Sequence, residues 1–286
     1  MKLSEYLKFK TNGIYFLLLL IIGISLYPHV KGYINQKNTS YIYTYQNSIY
    51  PDESFYYLAL GPSQFTKDNR LLAQDSFCRA PDQNFFFNPI GNFIALVSNV
   101  FDLPITISFL IFRIIAVCIL CITFYVFTGI FWENIKTRLF ATILYCFGAG
   151  FGILYQPWNL KPWNTSPWNI KPWDSIAPEM NMFISMMGEY YIPLANALFI
   201  GIFISFWKLL HAKNYYYSIL TGFLLLLLGA VYVYGMLIAM IIICSTTMWY
   251  FFFFFKESFG IIKHTFVAIL FSVPIIIYYL WILNII

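Results

Sequence analysis

Seven apolar windows, at residues 13–30, 105–131, 138–155, 190–207, 215–233, 235–255 and 265–286, most constrain what this chain can fold into. A helix needs about 20 mostly apolar residues to cross a bilayer core. Residues 215–255 are nearly continuous apolar sequence, about twice what one crossing needs, and are read as two helices broken near Val233, Tyr234 and Gly235. Composition agrees, because only 10% of residues are charged whereas soluble domains carry about 25%. The expected class is an all-α integral membrane protein, a single module over residues 1–286 with about seven transmembrane helices.

Charge sets the expected orientation. With the amino terminus in the cytoplasm, Lys2, Lys8, Lys10, Lys136, Arg138, Lys208, Lys213, Lys256 and Lys263 fall in short inside segments. The acids Asp52, Glu53, Asp68, Asp75, Asp82, Asp102, Asp174, Glu179 and Glu189 all fall outside. A multi-pass protein of the cell membrane follows. Its net charge of +5 comes from cytoplasmic rims that suit anionic lipid headgroups, which gives no reason to invoke nucleic acid. Five cysteines supply no disulfide pattern: Cys118 and Cys121 form a C-x-x-C inside an apolar span, and Cys78 stands alone outside. Residues 1–30 lack a small-x-small cleavage site after Leu26 and are read as a first anchor.

Two long outside segments interrupt this plan. The first, 31–102, is too long to be mere connection. Pro51-Asp52-Glu53-Ser54 reads as a helix start and Gly61-Pro62 as its stop, giving a short helix over 52–60. Residues 84–101, NFFFNPIGNFIALVSNVF, place Asn88, Asn92, Ala95 and Asn99 at helical spacing. That narrow polar stripe suits a helix lying in the outer interface, and Asp102-Leu-Pro104 ends it sharply. The second segment, 156–189, repeats PWNLK, PWNTS, PWNIK and PWDS with a period of five. Proline at each repeat favours extended or turn backbone, and the tryptophans suit headgroup level. The repeat reads either as an anchored spacer or as an aromatic platform for sugar or lipid.

Familiar catalytic motifs do not occur: there is no P-loop, no H-E-x-x-H and no metal-ligand cluster, since His29, His211 and His264 are scattered. Gly148, Gly150 and Gly152 follow no strand and read as helix-packing glycines. The outside acids remain. Asp52 and Glu53 could begin a helix simply because its exposed N–H groups favour carboxylates. The same pair could also deprotonate a hydroxyl acceptor or hold a divalent cation. Glu179 is a second acid on that face. Arg113 lies about two turns into the second span, where a charge is costly and tends to face protein or water. It either snorkels to the outer rim or meets a phosphate, for which a guanidinium supplies a bidentate fork; Arg70 and Arg79 could do the same from the loop.

These features resemble the polytopic GT-C-type glycosyltransferases. DESFYYLAL is similar to their first-loop motif, an acid pair followed by aromatics and a small residue. FFFNPIGNFIALVSNVF resembles their second juxtamembrane helix, and WDSIAPEMNMFISMMG resembles the segment carrying a further acid. The resemblance implies two outer-face juxtamembrane helices in the first loop and transfer of a sugar from a polyprenyl-phosphate donor. The acceptor would be an extracytoplasmic glycan, lipid or protein. It assigns Asp52 as general base, with Glu53 and Glu179 assisting through acceptor or metal contacts. Arg113, Arg79 and Arg70 would hold the donor phosphate. Members of the group usually continue beyond seven spans, whereas this chain stops at LWILNII, which leaves a truncated or inactive copy as an expectation of its own. The rival readings are a non-catalytic scaffold and a transporter or lipid flippase, the latter calling for acids or broken helices near the midplane.

Overall fold

The computed structural model describes residues 12–36, 72–74, 84–87, 89–147 and 191–285. Their elements, in chain order, are α1 (Asn12–Gln36), β1 (Leu72–Gln74), β2 (Asn84–Phe87), α2 (Pro89–Phe101), α3 (Ile105–Thr128), α4 (Ile135–Phe147), α5 (Tyr191–Ala212), α6 (Tyr215–Val231), α7 (Val233–Phe253) and α8 (Phe255–Ile285). A helix therefore stands at each of the seven apolar windows. Four are long and apolar enough to cross a membrane: Ile107–Thr128, Tyr191–Ala212, Val233–Phe253 and Ser258–Ile282. The β1–β2 pair, antiparallel with Leu72 opposite Phe87 and an irregularity between Ala73 and Gln74, is a hairpin that the sequence reading did not anticipate.

The chain divides into two compact units, Met1–Ser54 with Phe109–Pro193, and Phe55–Ser108 with Leu194–Ile286. In the first, α1 buries Ile14, Leu17 and Ile21, one stripe at helical spacing, and exposes Tyr15, Phe16 and Leu19. Gly13 allows a close approach to α4, since a Cβ there would sit 2.7 Å from Leu139 Cδ1. Helix α3 buries Phe109, Arg113, Val117, Leu120, Cys121 and Tyr125 and turns Ile111, Ile115 and Ile119 outward. Asn134 starts α4 in two ways: its Oδ1 accepts from the Lys136 N–H at 2.9 Å and its carbonyl from the Arg138 N–H at 3.1 Å.

The second unit holds a four-helix arrangement whose directions follow from side-chain contacts. Between α5 and α6, Thr221 Oγ1 donates to Ser205 Oγ at 2.9 Å, and Lys208 Nζ lies 5.9 Å from the Tyr217 ring centre, so these helices run antiparallel. Helices α6 and α8 run parallel: Ser218 meets His264, Gly222 meets Ala268, and the Tyr279 hydroxyl donates to the Gly229 carbonyl at 3.0 Å. Thr247 with Thr265, and Ser272 with Met240, make α7 and α8 antiparallel. Ile202, Leu209, Leu225, Leu228, Met236, Ala239, Ile243 and Ile261 form the shared core.

The chain reverses between α6 and α7 at Tyr232, whose extended backbone (φ −152°, ψ 90°) separates the two helices just ahead of the expected break. A second reversal, at Phe254, divides α7 from α8. Helix α8 thus begins at Phe255 rather than at 265, so Lys256 and Lys263, expected in a short inside segment, belong to it, and His264 lies well within it. Lys208, Lys213 and Lys263 gather at one end of this unit, opposite Tyr232. Lys263 Nζ lies 5.4 Å from the Tyr215 ring centre, and Lys213 packs beside Gly260.

Candidate functional site

Of the residues singled out in the sequence, Asp52, Glu53, Arg70, Arg79 and Glu179 lie outside the described residues, as do the helix expected at 52–60 and the PW repeat. Arg113 lies within them. Its side chain is 1% exposed on the inward stripe of α3, so it does not snorkel into open solvent. Eight residues beyond Ile105, it sits about 12 Å along the helix axis from the helix start. An ionised group so placed is costly unless compensated.

Helix α2 is the second element of interest, and its local chemistry is complete. Pro89 opens it at a position where a missing N–H costs nothing. Its 13 residues span only about 20 Å, short of a bilayer core of ~30 Å. At its end Asp102 takes φ 51°, the Leu103 N–H donates to the Ser98 carbonyl at 2.9 Å, and Pro104 follows. That is a Schellman cap with aspartate at the left-handed position, a conformation its short polar side chain tolerates. Ser98 Oγ also donates to the Leu103 carbonyl at 2.6 Å. The next helix starts only after this corner, with Ser108 N–H on the Pro104 carbonyl at 3.1 Å.

The two faces of α2 differ in burial. Ile90, Asn92, Ile94 and Ala95 are buried, and α2 contacts α6 within its unit. Phe93, Leu96, Val100 and Phe101 are exposed. The expected polar stripe divides, because Asn92 turns inward with Ala95 while Asn99 is exposed.

Sequence reading missed two groupings. Within the second unit Ser205, Thr221, Ser218 and His264 are all buried and linked in pairs: Ser218 Oγ is 3.0 Å from His264 Nδ1, whose ring also meets the Tyr215 ring edge-on at 4.5 Å. Single Ser, Thr and His residues in separate apolar runs carry no signal until the helices are paired. Within the first unit Cys121 and Cys146 meet across α3 and α4. Among the described residues no three His, Cys, Asp or Glu side chains come together in a way that could hold a metal ion. Comparison with protein-family models, curated proteins and solved structures gives no match.

Proposed function

We propose that this chain is a membrane glycosyltransferase of the GT-C type, moving a sugar from a polyprenyl-phosphate donor to a hydroxyl acceptor outside the cytoplasm. The observation that carries the reading is helix α2. It is a capped amphipathic helix too short to cross a membrane, set directly before an apolar span, where the resemblance calls for a second juxtamembrane helix. The motif DESFYYLAL upstream of it supplies the acid pair.

In this reading the chain crosses the cell membrane seven times from a cytoplasmic amino terminus. Four helices long and apolar enough to cross a membrane support a multi-pass chain, and the clustering of Lys208, Lys213 and Lys263 at one end of the second unit supports the orientation. Asp52 takes the proton of the acceptor hydroxyl as its oxygen attacks the anomeric carbon, and the lipid phosphate leaves with the bonding pair. One such displacement inverts the anomeric centre. Arg113, with Arg70 and Arg79, neutralises the phosphate as it departs. Glu53 and Glu179 orient the acceptor or hold a divalent cation beside it.

The test is transfer from labelled lipid-linked sugar in membranes carrying Asp52→Asn. The expected result is loss of transfer at unchanged protein level. Undiminished turnover removes Asp52 from the chemistry, and absence of transfer by the wild-type chain over a panel of lipid-linked sugars favours the non-catalytic reading.

A further inference from the structure

We propose that Cys121 and Cys146 are a redox-active dithiol, closing to a disulfide that ties α3 to α4 when a small, lipid-soluble hydroperoxide reaches them. The two sulfurs lie 3.4 Å apart, 25 residues apart in the chain. Both side chains are 0% exposed. A disulfide bond is about 2.0 Å long, so closure asks for an approach of about 1.4 Å, within reach of χ1 adjustment and a small helix shift.

Neighbouring contacts hold the register that brings the sulfurs together. Near the pair, the Phe124 and Tyr145 rings stack at 3.8 Å and 4°. Beyond them, the Arg138 guanidinium lies 4.1 Å from the Tyr125 ring centre. The pairs 121 with 146, 124 with 145 and 125 with 138 describe one antiparallel hairpin, so sliding the sulfurs apart would also break the ring stack and the arginine contact. Geometry also selects the partner. Cys118 and Cys121 are neighbours in a C-x-x-C, but Cys118 is half-buried on α3 itself, and it is Cys146 that stands against Cys121.

The chemistry balances with one peroxide. The hydroperoxide transfers oxygen to one thiol, giving a sulfenic acid and releasing the alcohol, or water when the oxidant is hydrogen peroxide. The second sulfur attacks the first and displaces water, so two electrons pass to the peroxide and both thiol protons end in the released products. Burial keeps glutathione and proteins away from the pair. The product fixes α3, the helix that carries Arg113, against α4.

The experiment uses the full chain in its native membrane. Samples are treated with hydrogen peroxide or with molecular iodine, which oxidises two neutral thiols to a disulfide and two molecules of hydrogen iodide. After unfolding, free thiols are alkylated and peptides are mapped by mass spectrometry without reductant. The expected result is a peptide pair joined through Cys121 and Cys146, restored to two thiols by dithiothreitol, in a chain carrying Cys78→Ser, Cys118→Ser and Cys244→Ser as well as in wild type. Cys121→Ser abolishes the link. If both cysteines stay fully alkylatable under both oxidants, or if Cys121 joins Cys118 instead, the proposal falls; the wild-type map decides this even if a variant fails to fold.

Discussion

The guanidinium of Arg138 donates from Nη2 to the Tyr125 carbonyl at 3.1 Å while lying 4.1 Å from the centre of that residue's ring. Thr128 Oγ1 donates to the same carbonyl at 2.8 Å. A cation thus sits against the last turn of α3, where unsatisfied carbonyls carry partial negative charge. Gly129 leaves the room, since a Cβ there would lie 2.9 Å from Arg138 Cζ. The residue read as one more cytoplasmic charge is a buried cap joining two helices.

Arg138→Met keeps the stem but removes the donor and the charge. A hydrogen bond to a charged group contributes about 1.5–3 kcal/mol. At roughly 2–4 °C per kcal/mol, the thermal midpoint in detergent should fall by about 3–12 °C. Arg138→Lys should lie between the two, because it keeps the charge without the planar fork. A midpoint unmoved by Arg138→Met would show that the contact adds nothing.

The close approach of α6 to α8 gives a second expectation. A Cβ on Gly222 would meet the Ala268 carbonyl oxygen at 2.5 Å and Phe271 Cβ at 2.7 Å, and backbone cannot swing aside as a side-chain tip can. Small residues let membrane helices approach closely, and overpacking costs about 1–3 kcal/mol. Gly222→Ala should therefore destabilise the chain, whereas Gly201→Ala, which would meet only Leu224 Cδ1 at 3.5 Å, should be tolerated. Equal midpoints for the two variants would contradict the packing.

Ser218 and His264 supply a third. Their 3.0 Å contact joins α6 to α8 where both side chains are buried. Interhelical hydrogen bonds in membranes couple by about 0.6 kcal/mol on average and up to ~1.7. A cycle of Ser218→Ala, His264→Leu and the double variant should give a coupling of about 0.5–1.5 kcal/mol. Strict additivity in urea or thermal unfolding would mean that the two groups do not act as a pair.

How much was legible depends on whether the determinant is local. Long apolar runs need no partner to be recognised, so a helix stands at every window. The Asp102-Leu-Pro104 stop was equally readable, because a left-handed aspartate followed by proline ends a helix by backbone chemistry alone. The start of α8 was misplaced for the opposite reason. Lys256, Lys263 and His264 look like loop residues in isolation, yet His264 is stabilised inside the helix by Ser218, 46 residues away. The Cys121–Cys146 pair depends on the register of a hairpin, which no periodicity encodes. Of the candidate site, only the inward placement of Arg113 was open to comparison.

Arg113 carries the last prediction. Its side chain is 1% exposed on the inward stripe of α3, among Phe109, Ala116 and Val117. If it holds the donor phosphate, charge and geometry both count: Arg113→Lys keeps the charge but gives up the bidentate fork. Transfer assays should then show a donor KM raised about tenfold or more, with a smaller change in kcat, since the loss falls mainly on binding common to ground and transition states. Arg113→Gln should lower kcat/KM further by losing the charge that meets the departing phosphate. The readout separates this role from a structural one. A merely structural arginine would alter the thermal midpoint while leaving the donor KM of the surviving folded protein where it was. That outcome would take Arg113 out of the donor site and leave it as a packing element of α3.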